Sequence, residues 1–226
     1  MAATPPPAPP RPPSTPRRDV MRARIEPVAR AVARTGLTPN QLTLIGFGIA
    51  ALGALFAGIE WWLLAGIVGT VGAAFDAFDG AVARVTGTAS TFGAFMDSTF
   101  DRAGEALLYI GIIIGCTRAG FEVGAWLAAA AMAAAFLVSY TRARAESLGF
   151  SSGRGMAAVG LAPREVRTVI LGVALVGAGL FGGVASGSTG SVILGFGLGL
   201  IAVLAVITII QRIMFVSKQA RSEVSR

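Results

Sequence analysis

Past residue 35 the chain alternates between long apolar runs and short polar breaks, a pattern that predicts helices. Six runs, at about 40–58, 61–84, 89–116, 122–145, 164–184 and 190–214, each come close to the roughly 20 residues a helix needs to cross a bilayer. Gly36-Leu37-Thr38-Pro39-Asn40 breaks the chain ahead of the first run, and Pro39 suits the first turn of the helix that follows. Upstream, residues 19–35 interleave Arg22, Arg24, Arg30 and Arg34 with Val20, Met21, Ile25, Val28 and Val32. That mixture predicts a basic amphipathic helix lying on a membrane surface. Residues 1–18 are rich in Pro, Ala and Arg without an apolar run, as expected of a disordered tail rather than a signal peptide. Residues 216–226 are expected to close the chain as a basic tail. The expected fold is all-α integral membrane: six transmembrane helices within residues 36–215, preceded by an N-terminal amphipathic surface helix.

Composition agrees with lipid as the solvent. Of 226 residues, 54% are hydrophobic and 14% charged, and the mean hydropathy is +0.71, too apolar for a soluble domain of this length. The 30 glycines suit closely packed membrane helices, with Gly66/Gly69 and Gly195/Gly199 as close-packing pairs. A net charge of +7 raises the question of nucleic acid, but the arginines bracket apolar runs instead of covering a polar domain, so no nucleic-acid partner is expected. Arg84, Arg142, Arg144, Arg154, Arg164, Arg167, Arg212, Lys218 and Arg221 fall on one side of the six runs, together with the basic N-terminal region. The opposite turns hold Glu60, Arg118 and Glu122. By the positive-inside rule both termini are cytoplasmic in a multi-pass protein of the plasma membrane. The lone Cys116 sits in an apolar run, which rules out an intrachain disulfide. Histidine is absent, removing His-based triads, His general bases and His-ligated zinc. Chemistry is left to carboxylates, arginines and oxygen-liking metals.

The polar residues that break the apolar pattern most sharply lie between Asp76 and Asp101. Asp76 and Asp79 are i,i+3 and Asp97 and Asp101 are i,i+4, so on helices each pair shares a face. Two helices meeting at the turn 85–90 would point four carboxylates at one small volume. Four like charges there repel unless protonated or neutralised, and oxygen-bound divalent cations are the simplest remedy. A carboxylate deep in a membrane helix costs roughly 2.5–3.5 kcal/mol, which argues against a purely structural role. A carboxylate-lined metal site facing the cytoplasm suits an activated nucleotide donor: cations offset phosphate charge, and a spare carboxylate takes a proton from an attacking hydroxyl. Gly80 and Gly93 would let a nucleotide approach the backbone, and both would also serve as helix-packing glycines.

The run D76-x-x-D79-G80-x-x-A83-R84, eight residues, then G93-x-x-x-D97-x-x-x-D101 resembles the signature of CDP-alcohol phosphotransferases, with no change of spacing. The resemblance covers about residues 36–215. It implies six membrane helices, a homodimer, two bound Mg²⁺ or Mn²⁺ ions, and transfer of a phosphatidyl group from CDP-diacylglycerol to an alcohol with release of CMP. It implies that Asp76, Asp79 and Asp97 hold metal and that Asp101 joins the metal site and acts as the catalytic base. Asp79, Gly80, Ala83, Arg84 and Gly93 would surround the CDP moiety. Asn40 and Thr43, at the start of the first membrane helix, either line that pocket or simply cap the helix.

The acceptor is read from arginines elsewhere. Ser139 and Arg142 are i,i+3 at the end of the fourth run, Arg164 and Arg167 open the fifth, and Arg212 closes the sixth. Converging from three helices, they would form a cationic pocket for a phosphate-bearing alcohol, or they are positive-inside anchors of helix ends. Ser139, Arg142, Arg167 and Arg212 together resemble the acceptor pocket of bacterial phosphatidylinositol phosphate synthases, which implies inositol phosphate as acceptor. Two departures stand: arginine replaces a usual lysine at 142, and the segment before the fifth helix reads P163-R164-E165-V166-R167. Glycerol phosphate stays open as an alternative. From a different class, a divalent-cation transporter could use the same carboxylates, although no internal repeat is visible and the acids sit near one end of their helices.

Overall fold

In the computed structural model, residues 26–27, 29–150, 156 and 159–224 are described, without the side chains of 76–78, 223 and 224. Six long helices follow one another: α1 Pro39–Gly58, α2 Trp62–Thr86, α3 Thr91–Arg118, α4 Glu122–Ser147, α5 Arg164–Leu180 and α6 Thr189–Val224. No strand occurs among the described residues. Residues 19–25 and 28 of the surface helix expected over 19–35 lie outside the described residues; 26–27 and 29–33 are helical. The tail expected at 1–18 also lies outside them, and of the tail expected at 216–226 only 225–226 do, since 216–224 continue the last helix.

Local chemistry sets the helix ends. Thr38 and Gln41 make a reciprocal capping box at the start of α1, with Pro39 behind it. Gly87, with φ near +70°, ends α2, and Ser90 Oγ accepts from Gly93 N to start α3. The fifth helix stops at Leu180, short of the expected 184, because Gly182 and Gly183 both take positive φ. The sixth runs about ten residues past the expected 214, since an apolar run marks membrane depth and says nothing about helix continuing beyond it.

The helices close into a ring: α1 packs on α2 and α3, α3 on α4, α4 on α6, α6 on α5, and α5 back on α2. Small residues allow the closest crossings. A side chain at Gly111 or Gly115 of α3 would collide with the carbonyl oxygens of Ala54 and Ala57 on α1. Of the glycines paired by sequence, Gly66, Gly69 and Gly195 are closely packed, whereas Gly199 faces open space. The core is Ala-rich and carries Trp62, Tyr109, Ile112, Leu175, Leu194, Leu198 and Ile201. Outside, Trp126, Val173, Val192 and Phe196 are each at least two-thirds exposed, the inside-out distribution a lipid solvent permits.

Four helices, α1, α2, α4 and α6, are long and apolar enough to cross a membrane. The other two expected spans differ for clear reasons. Helix α3 carries Asp97, Asp101, Arg102 and Glu105 within its first 15 of 28 residues, and α5 has only 17 residues, roughly 25 Å of helix.

Candidate functional site

Helices α2 and α3 follow each other through a tight turn yet scarcely touch, because α1 packs against both. The gap at the turn end is a cavity of about 590 Å³, within the usual range for ligand pockets. Asn40 and Thr43 from α1, Asp79, Gly80, Ala83 and Arg84 from α2, and Gly93 and Asp97 from α3 all line it. Every residue assigned by sequence to the nucleotide therefore faces one space.

Asp79 is buried, and Thr43 Oγ1 donates to its Oδ2 at 2.6 Å. Asn40 contributes an amide oxygen rather than a cap: Thr38 is the N-cap, and Asn40 Oδ1 stands where a Cβ on Gly93 would come within 3.4 Å. At Gly80 a Cβ would meet only the tip of Arg84, also at 3.4 Å. Gly80 is thus not required by helix–helix packing, whereas a Cβ on Gly93 would also crowd Ser90 Oγ at 3.1 Å; both glycines line the cavity.

A smaller inner cavity of about 50 Å³ adjoins this one, with Thr43 lining both. Asp101, Glu105, Tyr109, Arg164, Arg167 and Thr168 line it. Asp97 and Asp101 thus open to neighbouring spaces along one helix face. Arg164 Nη1 lies 2.7 Å from Asp101 Oδ2, and Arg102 Nη2 lies 3.7 Å from the same oxygen.

The donors available to a metal are carboxylate, hydroxyl and amide oxygens, with no sulfur or imidazole lining either cavity. This set fits a hard divalent ion. Among the described residues no three carboxylates form a metal-sized cluster. The side chain of Asp76, one turn before Asp79 on α2, lies outside the described residues.

The acceptor candidates gather at the same end of the bundle, in unequal circumstances. Arg167 is 1% exposed. Its Nε and Nη2 donate to Glu105 at 2.8–3.0 Å, and its Nη1 donates to Ala162 O at 2.9 Å. Arg212, also buried, donates to Val159 O at 3.0 Å and to Val138 O. Ser139 Oγ accepts from Arg102 at 2.7 Å. Arg142 is half exposed and pairs with Glu146. Thr208 of α6 accepts from Leu161 N and Ala162 N at 3.1 and 2.9 Å. Together with Arg212 it clamps the segment that delivers Arg164 and Arg167 into the site.

Sequence reasoning missed two members of this group, Arg102 and Glu105. A signal was present: Asp97, Asp101 and Glu105 recur every fourth residue, so the acidic stripe of α3 extends one turn past the motif.

Comparison with known proteins decides the family. The profile of the CDP-alcohol phosphatidyltransferases matches residues 36–211. The chain belongs to the CDP-alcohol phosphatidyltransferase family. This transferase is 37% identical over 196 residues to archaetidylinositol phosphate synthase of Pyrococcus horikoshii, across 86% of this chain and 92% of that protein. It is 34% identical over 201 residues to phosphatidylinositol phosphate synthase of Streptomyces avermitilis, across 87% of this chain and 79% of that protein. Among solved structures, phosphatidylinositol phosphate synthase of Mycobacterium tuberculosis with CDP-diacylglycerol bound matches the transferase with a TM-score of 0.73 at 28% identity, across 85% of this chain and 92% of that one. The same enzyme with manganese and citrate matches with a TM-score of 0.72 at 27% identity, across 85% and 88%.

Proposed function

We propose that this transferase moves a phosphatidyl group from CDP-diacylglycerol to inositol phosphate, giving phosphatidylinositol phosphate and CMP. One observation carries the reading: a cavity sized for a nucleotide, walled by Asp79, Gly80, Ala83, Arg84, Gly93 and Asp97 of the signature, opens beside a cluster of arginines suited to a phosphorylated acceptor. The synthases of inositol phosphate lipids among its relatives support the choice of acceptor.

In this reading Asn40, Thr43, Asp79, Gly80, Ala83, Arg84 and Gly93 hold the cytidine diphosphate. Asp76, Asp79, Asp97 and Asp101 hold two Mg²⁺ or Mn²⁺ ions, which supply charge neutralisation at the diphosphate. Asp101 takes the proton of the acceptor hydroxyl as its oxygen bonds to the phosphorus bearing diacylglycerol. The bond from that phosphorus to the oxygen of CMP breaks, and the pair of electrons leaves with CMP. The acceptor phosphate is met by Ser139, Arg142 and Arg164, with Arg167 and Arg212 supplying positive charge from behind. Thr43 orients Asp79 through its hydroxyl. The tight crossings of the ring keep the two cavities adjoining, so donor and acceptor meet without diffusing apart.

The membrane setting belongs to the same reading. All six helices cross the bilayer, α3 tolerating its charges because they face the cavities. The stretch 19–35 lies on the cytoplasmic leaflet, both termini are cytoplasmic, and the working unit is a homodimer.

The test is CMP release by purified protein with CDP-diacylglycerol, Mg²⁺ and a panel of acceptors. The expected result is release with inositol phosphate and little with free inositol. Preference for glycerol phosphate would reassign the acceptor, and no release with any polyol would overturn the reading.

A further inference from the structure

Beside Asp101, three arginines gather around a shared carboxylate. Arg102, Arg164 and Arg167 come from α3 and α5 into one partly buried volume. Among the described residues their ion-pair carboxylates are Asp101 and Glu105. On the reading above Asp101 is committed to the ions and the proton, so the standing counter-charge is Glu105. Its side chain is only 11% exposed. Oε1 accepts twice from Arg167, and Oε2 accepts from Arg167 at 3.0 Å and from Arg102 at 3.1 Å. The Arg102 nitrogen it holds also donates to Ser139 on α4, so one carboxylate ties three helices.

We propose that Glu105 is a positioning residue for acceptor use, an inference that rests on the transferase reading. It fills the donors of Arg167 and fixes Arg102, with Nη2 turned toward Asp101. It thereby sets the arginine layer before the acceptor's phosphate arrives. Without it, guanidinium groups of like charge lose their shared anion and move apart.

Charge alone and positioning predict opposite results, which makes the point testable. Glu105→Gln adds one net positive charge beside the anion site. If Glu105 acted only as a charge, this would lower KM for inositol phosphate. If it positions, the Gln amide opposes an arginine donor, and KM for inositol phosphate rises at least tenfold while KM for CDP-diacylglycerol stays within twofold. Glu105→Asp, which keeps the charge at shorter reach, should fall between Glu105→Gln and the parent protein. A second readout is the thermal shift of the purified protein in detergent: inositol phosphate should stabilise the parent but not Glu105→Gln, while CDP with Mn²⁺ stabilises both. A fall in acceptor KM, a parallel change in both KM values, no change in either, or failure of both variants to fold would each overturn the proposal. If the parent protein releases no CMP, the transferase reading fails. If the parent works and the split is absent, only the role of Glu105 fails.

Discussion

The two halves of the site are built on different principles. The half proposed for the nucleotide lies between α1, α2 and α3, and its residues line open space: Asp79, Gly80, Arg84, Gly93 and Asp97 wall one cavity. The half proposed for the acceptor lies between α3, α4, α5 and α6, and its residues turn toward one another. Arg167 is spent on Glu105 and Ala162 O, Arg212 on Val138 O and Val159 O, and Arg102 on Glu105 and Ser139. An open half can be assigned by asking what faces the space. A self-satisfied half has to be assigned by asking which partner each group would release.

That contrast can be broken at several points. The largest effect is expected in the open half: Asp97→Asn should cut turnover roughly 1,000-fold, about 4 kcal/mol of barrier. It should also weaken Mn²⁺ binding followed by electron paramagnetic resonance. Retained metal binding and turnover would remove Asp97 from the metal site. Next, Arg84→Ala should raise KM for CDP-diacylglycerol roughly 10- to 100-fold, the worth of a hydrogen bond to a charged group at about 1.5–3 kcal/mol. KM for the acceptor should barely move. Arg142→Ala should do the reverse, and a crossed result for the pair would mean the two halves are misassigned.

A smaller effect separates architecture from chemistry in the acceptor half. Thr208→Val leaves Leu161 N and Ala162 N without the oxygen they share. The expected loss is about 2 kcal/mol, read as a fall in Tm of roughly 4–8 °C, with KM for CDP-diacylglycerol unchanged. The smallest effect belongs to Tyr109, fully buried, whose hydroxyl has no hydrogen-bond partner among the described residues. Tyr109→Phe should leave Tm level or raised, since nothing is lost by removing an unbonded hydroxyl. A clear fall in Tm would reveal a water in the inner cavity bridging it to Glu105 or Arg167.

Much of the open half was legible in the chain because its information is local. The spacing of Asp76, Asp79, Asp97 and Asp101 acts through helix periodicity, which needs no knowledge of neighbours. The acceptor half was legible only as charge at helix ends. Ser139, Arg142, Arg167 and Arg212 could be named, but the contacts that bury Arg167 and Arg212 cross gaps of up to 74 residues. Glu105 continues the every-fourth-residue spacing of Asp97 and Asp101 but lies one turn past the motif, and Arg102 carries no spacing of its own, so both went unread.

Sequence alone determined the number and order of the six helices, the lipid-like exterior and the motif that names the family, since apolar run length and residue spacing are properties of a chain before it folds. Tertiary structure alone decided that α1 wedges α2 and α3 apart to open the cavity, and that the arginines of α3, α5 and α6 donate to Glu105, Ser139 and backbone carbonyls brought from other parts of the chain. Both depend on which helix packs on which, and that ordering comes from side-chain volumes meeting across the ring, such as Gly111 and Gly115 against the α1 backbone.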